Sequence, residues 1–149
     1  MNITPAQMEA AFADRICLGN EAAKDFLLLW SQYVHAIDDI EDEETTSEFR
    51  LKTFALAIEV YSHPFYLTNL SRLKQVALNC TNAYADVVKW EKSEVPWQKE
   101  FADHYRHFGC EMPMAVASIV GGYAAMRAVS LEFRTACYVD HHKGNGEQK

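Results

Sequence analysis

The chain has 149 residues, 49% of them apolar and 23% charged, with six glycines and four prolines. That length suits one domain with one sizeable core, and the composition excludes disorder over most of it. A net charge of −7 at pH 7 excludes a general nucleic-acid surface, which needs clustered lysine and arginine to neutralise phosphate.

Thr4-Pro5-Ala6-Gln7 has the form of a helix start: a capping Thr, Pro at the first helical position and Gln three residues after the cap. A helix is predicted from Pro5 to Leu18, with Ala11, Phe12 and Ile16 inward and Gly19 as its stop. Asn20 caps a second helix. In it Phe26, Leu27, Trp30, Tyr33, Val34 and Ile37 recur at three- and four-residue spacing, a buried stripe that carries the helix to at least Asp38.

This helix runs into Asp38-Asp39-Ile40-Glu41-Asp42-Glu43-Glu44, the most chemically concentrated stretch of the chain. Helical geometry places His35, Asp38, Asp39 and Asp42 within a sector of about 100°, with Asp38 nearest the apolar edge. Carboxylates at a helix C-terminus oppose the backbone dipole and repel one another, at about 0.3–1 kcal/mol per exposed contact. A hard divalent cation such as Mg²⁺ would offset that cost. The plainer alternative ends the helix near Asp38 and makes the acids a solvated approach to the next helix, capped by Thr45, Thr46 or Ser47.

Asp38-Asp39-Ile40-Glu41-Asp42 at the end of an apolar helix resembles the first aspartate-rich motif, D-D-x-x-D, of the trans-isoprenyl diphosphate synthases and the wider terpenoid synthase family. The resemblance implies a helix lining a bundle cavity and holding Mg²⁺ against a substrate diphosphate. It makes Asp38 and Asp42 the metal ligands, with Asp39 assisting. No second D-D-x-x-D follows. The nearest acidic element is Asn82-Ala83-Tyr84-Ala85-Asp86, with Glu91 beyond it and Trp90 where that family's second motif places its last ligand.

Glu48 to Ser62 is helical and broadly apolar, with Phe49, Leu51, Phe54, Leu56, Ile58 and Val60, the pattern of a centrally placed element. His63-Pro64 ends it, and a short helical turn covers Pro64 to Asn69. A long helix is predicted from Leu70 to Lys92, with Leu73, Val76, Ala77, Cys80, Tyr84 and Val87 inward and Asn82, Asp86 and Lys89 on a polar flank. Ser93 caps the next helix, whose apolar face is Trp97, Phe101, Tyr105 and Phe108 and whose stop is Gly109. Asp103, His104 and His107 lie close together on it. Two His three residues apart can share a metal, but a surface helix with His near its negative end gives the same pattern.

From Pro113 onward Ala115, Ala117, Ser118, Gly121, Gly122, Ala124, Ala125 and Ala128 make a helix almost bare of side chains on one side. A crowded place inside the bundle accounts for this, and a homodimer seam through the Ala115–Ala128 helix is the alternative. The helical pattern continues toward Val139. Residues 1–140 read as a single helical domain, and residues 141–149 as a polar, flexible tail. Cys17, Cys80, Cys110 and Cys137 form no C-x-x-C pair and read as buried thiols in a reducing compartment, with a cytoplasmic location expected. The uncharged run Met112–Met126 falls short of the roughly 20 residues that span a bilayer, so no membrane span is expected.

No useful period-two alternation occurs, so the expected fold is all-α: five or six mostly antiparallel helices around Trp30, Phe54 and Tyr84. One expected function is Mg²⁺-dependent binding or processing of a diphosphate. The other is a non-catalytic bundle that meets a protein partner through its acidic or small-residue surface. The sequence leaves undecided whether His35, Asp86, Glu91, His104 or His107 joins a site, and it offers no nucleophile, base and orienter in one motif.

Overall fold

Local chemistry sets most of the helix boundaries in the computed structural model, which describes residues 5–146, with side chains described for residues 10–139. Helix α1 (Pro5–Cys17) ends where Leu18 and Gly19 take positive φ, 49° and 83°. The expected Thr4 cap lies outside the described residues. Asn20 starts α2 (Glu21–Asp42), its side-chain oxygen accepting the Ala23 N–H at 3.0 Å. Asn20→Ala removes that acceptor and is expected to cost about 1 kcal/mol. Thermal melting followed by circular dichroism measures the loss, and an unchanged midpoint would show that the cap contributes nothing.

Thr46 caps α3 (Ser47–Ser62) by accepting the Phe49 N–H at 3.1 Å. The short α4 (Pro64–Thr68) follows, with Pro64 in its first turn and His63 as its cap. Then come α5 (Leu70–Glu91), α6 (Pro96–Tyr105), a 3-10 turn over Arg106–Cys110, and α7 (Glu111–Gly146). The fold is all-α, with no strand among the described residues.

One apolar cluster holds these elements together. Phe26 of α2 is fully buried, with its ring 5.7 Å from Phe65, 5.8 Å from Tyr66, 5.7 Å from His63 and 6.5 Å from Trp30. Leu73 of α5 and Met112, Met114 and Val116 of α7 close the cluster from the other side. Most of the stripes predicted for α2 and α5 face this core, although Tyr84 is only half-buried and Val34 is exposed.

Helix α3 is not central. Leu51, Phe54 and Ile58 are 69%, 67% and 55% exposed, and only Thr53 and Val60 are buried. Its principal neighbours among the described residues are α2 and α4. Apolar residues all round a helix do not ensure that the same chain covers every side of it, and here one side is uncovered. Phe54 is therefore a surface residue and not part of the core.

The continuous helix expected over Ala115–Ala128 is also absent, because Gly122 takes φ 76° and ψ −175°, a backbone conformation essentially reserved for glycine. The chain doubles back there. Arg134 pairs with Glu111, and the Cys137 thiol hydrogen-bonds to Cys110. In a straight helix, 23 residues would separate Glu111 from Arg134 by roughly 34 Å. The small residues thus serve a hairpin, with residues 111–121 as one arm and 123–146 as the other. Gly121 sits where a Cβ would stand 2.5 Å from that of Ala125.

Two further expectations meet this hairpin. Residues 141–146, read as tail, continue α7 as helical backbone, while 147–149 lie outside the described residues. By length and composition alone, the run Pro96–Val139 is apolar enough to cross a membrane. It is not one rod, however. The 3-10 turn and Gly122 interrupt it, and residues 111–121 extend only about 16 Å against a hydrocarbon core of about 30 Å.

Candidate functional site

Because α2 stays helical through Asp42, the acids are part of the helix and their side chains leave it in different directions. Asp38 turns inward and is about one-third exposed, whereas Asp39 and Asp42 face solvent. The inward turn brings Asp38 onto α5, where the Tyr84 hydroxyl donates to its Oδ1 at 2.8 Å. Arg106, the first residue of the 3-10 turn, reaches the same oxygen through Nη2 at 3.4 Å. Its Nη1 lies 3.3 Å from Oε1 of Glu91, at the end of α5. One guanidinium thus ties together α2, α5 and the 3-10 turn.

Asp38, Tyr84 and Arg106 of this polar group line a cavity of about 340 Å³. Trp30, Tyr33, Ile37, Tyr84, Tyr105 and Phe108 supply most of its wall, and Cys80 lies at its inner side. The rings are held by their neighbours. Tyr33 packs edge-on against Trp30 and Tyr61, and Tyr105 is wedged among Trp90, Phe101 and Phe108. An apolar, largely preformed wall with a few converging polar groups is the usual build of a small-molecule site. A second cavity of about 340 Å³ lies between α5 and the first arm of α7, bordered by Arg72, Glu111 and Ser118.

The charges around the first cavity lean negative. Asp38 and Glu91 share Arg106, which leaves one net negative charge before the nearby Asp42 is counted. Burial pushes the Glu91 carboxyl above its usual range; Arg106 pulls it down, and Asp42 and Asp38 push it up again. Burial first, then the bond to Asp38, raises the Tyr84 phenol, so it remains a hydrogen-bond donor at neutral pH. Burial also pushes the Cys80 thiol up to about 11, which keeps it protonated and a poor nucleophile.

The remaining residues singled out in the sequence are dispersed. His35 borders the cavity, its Nδ1 lying 2.8 Å from the Ser31 carbonyl oxygen. Asp86, on α5, is not among the residues lining the cavity. His104 and His107 both pack on Tyr138, at 6.0 and 5.6 Å between ring centres, so the second arm of α7 engages them as aromatic surface. Among the described residues, no group of three or more His, Cys, Asp or Glu side chains is placed to hold a metal ion. Asp38, Asp39 and Asp42 therefore do not form a gathered three-carboxylate centre.

Sequence reasoning missed Arg106 and gave Tyr84 to the core. Neither sits in a motif, and their contacts with Asp38 bridge 68 and 46 positions. The available signal was indirect: six acids at and just past a helix end, with no basic residue in its last turn, require a cation from elsewhere in the fold. In comparisons with protein families, curated proteins and solved structures, the chain matches none.

Proposed function

We propose that this protein binds a small amphipathic molecule in the cavity between α2 and α5. The molecule's apolar body lies against the aromatic wall, and its hydrogen-bond-donating or cationic head lies toward Asp38. The observation that carries this reading is the position of Asp38, half-buried in the lining of an aromatic cavity and oriented by Tyr84 and Arg106. The sign of the head group follows from the charge balance, since Asp38, Glu91 and Asp42 outnumber Arg106. An ammonium beside Trp30, Tyr33 and Tyr105 would also gain from the ring faces, at about 0.5–2 kcal/mol.

A second reading keeps the expectation drawn from the acidic motif, in which Mg²⁺ bridges a diphosphate to Asp38 and Asp42. One observation favours it: α2 remains helical to Asp42, so these two carboxylates lie one turn apart, Asp38 lining the cavity and Asp42 exposed beyond it, with no basic residue in the helix's own last turn. Mg²⁺ binds through one or two carboxylates plus phosphate oxygens and does not require three.

Thermal melting separates the readings. A hydrophobic amine such as phenethylamine at about one hundred times its dissociation constant is expected to stabilise the fold by about 2.7 kcal/mol. Asp38→Asn should abolish the shift, and the isosteric carboxylate should give none. Stabilisation by Mg²⁺ with pyrophosphate, lost in Asp38→Ala and Asp42→Ala, would establish the second reading instead. If neither probe moves the melting temperature, the cavity is not a site for either chemistry.

A further inference from the structure

We infer that Cys110 and Cys137 form a reversible intramolecular disulfide that locks the α7 hairpin under oxidising conditions. The two thiols stand on opposite sides of the reversal at Gly122, Cys110 at the end of the 3-10 turn and Cys137 in the second arm. Three cross-arm contacts in register bring them together. Glu111 pairs with Arg134 on one side, the His107 ring lies 5.6 Å from that of Tyr138 on the other, and between them the Cys137 thiol is hydrogen-bonded to Cys110. A disulfide requires a sulfur separation of about 2.05 Å and Cβ atoms that face each other. Thiols already in hydrogen-bond contact reach that geometry by side-chain rotation and a small approach of the second arm. That arm is only partly covered, with Leu131, Tyr138 and Val139 exposed, so it is free to make the approach.

The surroundings divide the chemistry between the two sulfurs. Cys137 is half-exposed and meets a small oxidant first, whereas Cys110 is buried. The contact with Cys137 lowers the Cys110 thiol, burial opposes this, and the Arg134 guanidinium lowers it again. Cys17 and Cys80 differ, because burial raises each to about 11 and keeps it protonated. The oxidant is a small disulfide such as oxidised glutathione. Cys137 gives its proton to water, and its thiolate attacks one sulfur of that disulfide, forming a mixed disulfide and expelling one glutathione thiolate. Cys110 then loses its proton, and its thiolate attacks Cys137 Sγ, breaking the mixed disulfide and expelling the second glutathione thiolate. The two cysteines lose two electrons and two protons, and one glutathione disulfide becomes two glutathione thiols. An excess of thiol runs the same steps backward. The new bond closes a loop over residues 111–136 and ties the second arm of α7 to the 3-10 turn, which restricts the unfolded chain and holds the hairpin shut.

The test incubates the full chain with oxidised glutathione and compares it with the same protein in dithiothreitol. After alkylation under denaturing conditions, tryptic digestion and mass spectrometry should recover residues 107–127 linked to residues 135–143, with Cys17 and Cys80 alkylated. The oxidised protein should melt about 4–16 °C above the reduced one, the shift that a disulfide gives in a chain of this size. Dithiothreitol should reverse both changes, and Cys137→Ser should show neither. The oxidised and reduced samples share one sequence, so a folding defect in the variant cannot mimic the result. The proposal is overturned if the linked peptide does not form, if Cys110 is recovered joined to Cys80 or to a second chain, or if a glutathione adduct persists on Cys137. An oxidised protein that melts no higher than the reduced one would overturn it as well.

Discussion

Replacing Gly122 with valine is expected to destabilise the protein by about 2–3 kcal/mol, because φ 76° with ψ −175° is nearly closed to any residue with a Cβ. For a chain of this size, each kcal/mol corresponds to roughly 2–4 °C in melting temperature, so the midpoint should fall by about 4–12 °C. Alanine at the same position should lose less, since it lacks the branched Cβ. The cost is conformational rather than steric: nothing lies within 4 Å of the position a Cβ would take at Gly122. Gly121 presents the opposite case. Its backbone is helical, but a Cβ there would stand 2.5 Å from Ala125 Cβ and 2.8 Å from Leu18 Cδ1. Leu18 is exposed and can move, whereas Ala125 cannot do so without opening the hairpin. Gly109→Ala supplies the control, having open space and no positive φ, and should stay within about 0.5 kcal/mol of wild type. A Gly122→Val protein that melts with the wild type would show that the doubled-back hairpin is not the native form of α7.

Arg106→Leu is the second substitution with a large expected effect, at about 2 kcal/mol near pH 7. Breaking a fully buried ion pair costs about 3–5 kcal/mol, and the partial exposure of Asp38 and Glu91 reduces that figure. The loss should depend on pH in a defined direction. The folded protein already holds the Glu91 carboxyl above its ordinary range, so it favours the protonated form, and stability declines as pH rises through that raised pKa. Removing Arg106 removes the influence that pulls Glu91 down, which raises it further. The penalty of Arg106→Leu should therefore be full at pH 7 and shrink as pH falls toward 4, where a neutral Glu91 needs no cation. Glu91→Gln should be neutral or stabilising at pH 7 in the wild type and should recover part of the loss in Arg106→Leu. Urea denaturation of the four proteins at pH 7, 5.5 and 4 completes the cycle. A penalty that does not vary with pH would remove Glu91 from the account.

The Arg106 substitution bears on the acidic end of α2. If Arg106 stabilises the fold as expected, the protein itself supplies cations to two acids at the end of α2, Arg106 to Asp38 and Lys92, at 3.8 Å, to Glu41. Asp39, Asp42, Glu43 and Glu44 remain at the surface.

What the sequence determined by itself is everything that depends on nearest neighbours along the chain. Asn20 and Thr46 accept N–H groups three residues on, Pro64 and Pro96 open helices, Gly19 ends one, and the stripe from Phe26 to Trp30 faces the core. These outcomes follow from backbone hydrogen bonding and a 3.6-residue period, both of which act within a few residues. The inward turn of Asp38 was legible for the same reason, since it sits at the edge of the apolar stripe. Only the tertiary structure decided the rest. Periodicity marks a face as apolar but carries no information about which element covers it, so Phe54 looked like core and is surface. Two adjacent glycines are compatible with a tight helix contact or a reversal, and the backbone at Gly122 with the pairing of Glu111 and Arg134 distinguishes them. Arg106 meets Asp38 because packing places the 3-10 turn against α2 and α5, a contact formed by the whole fold and written in no single segment.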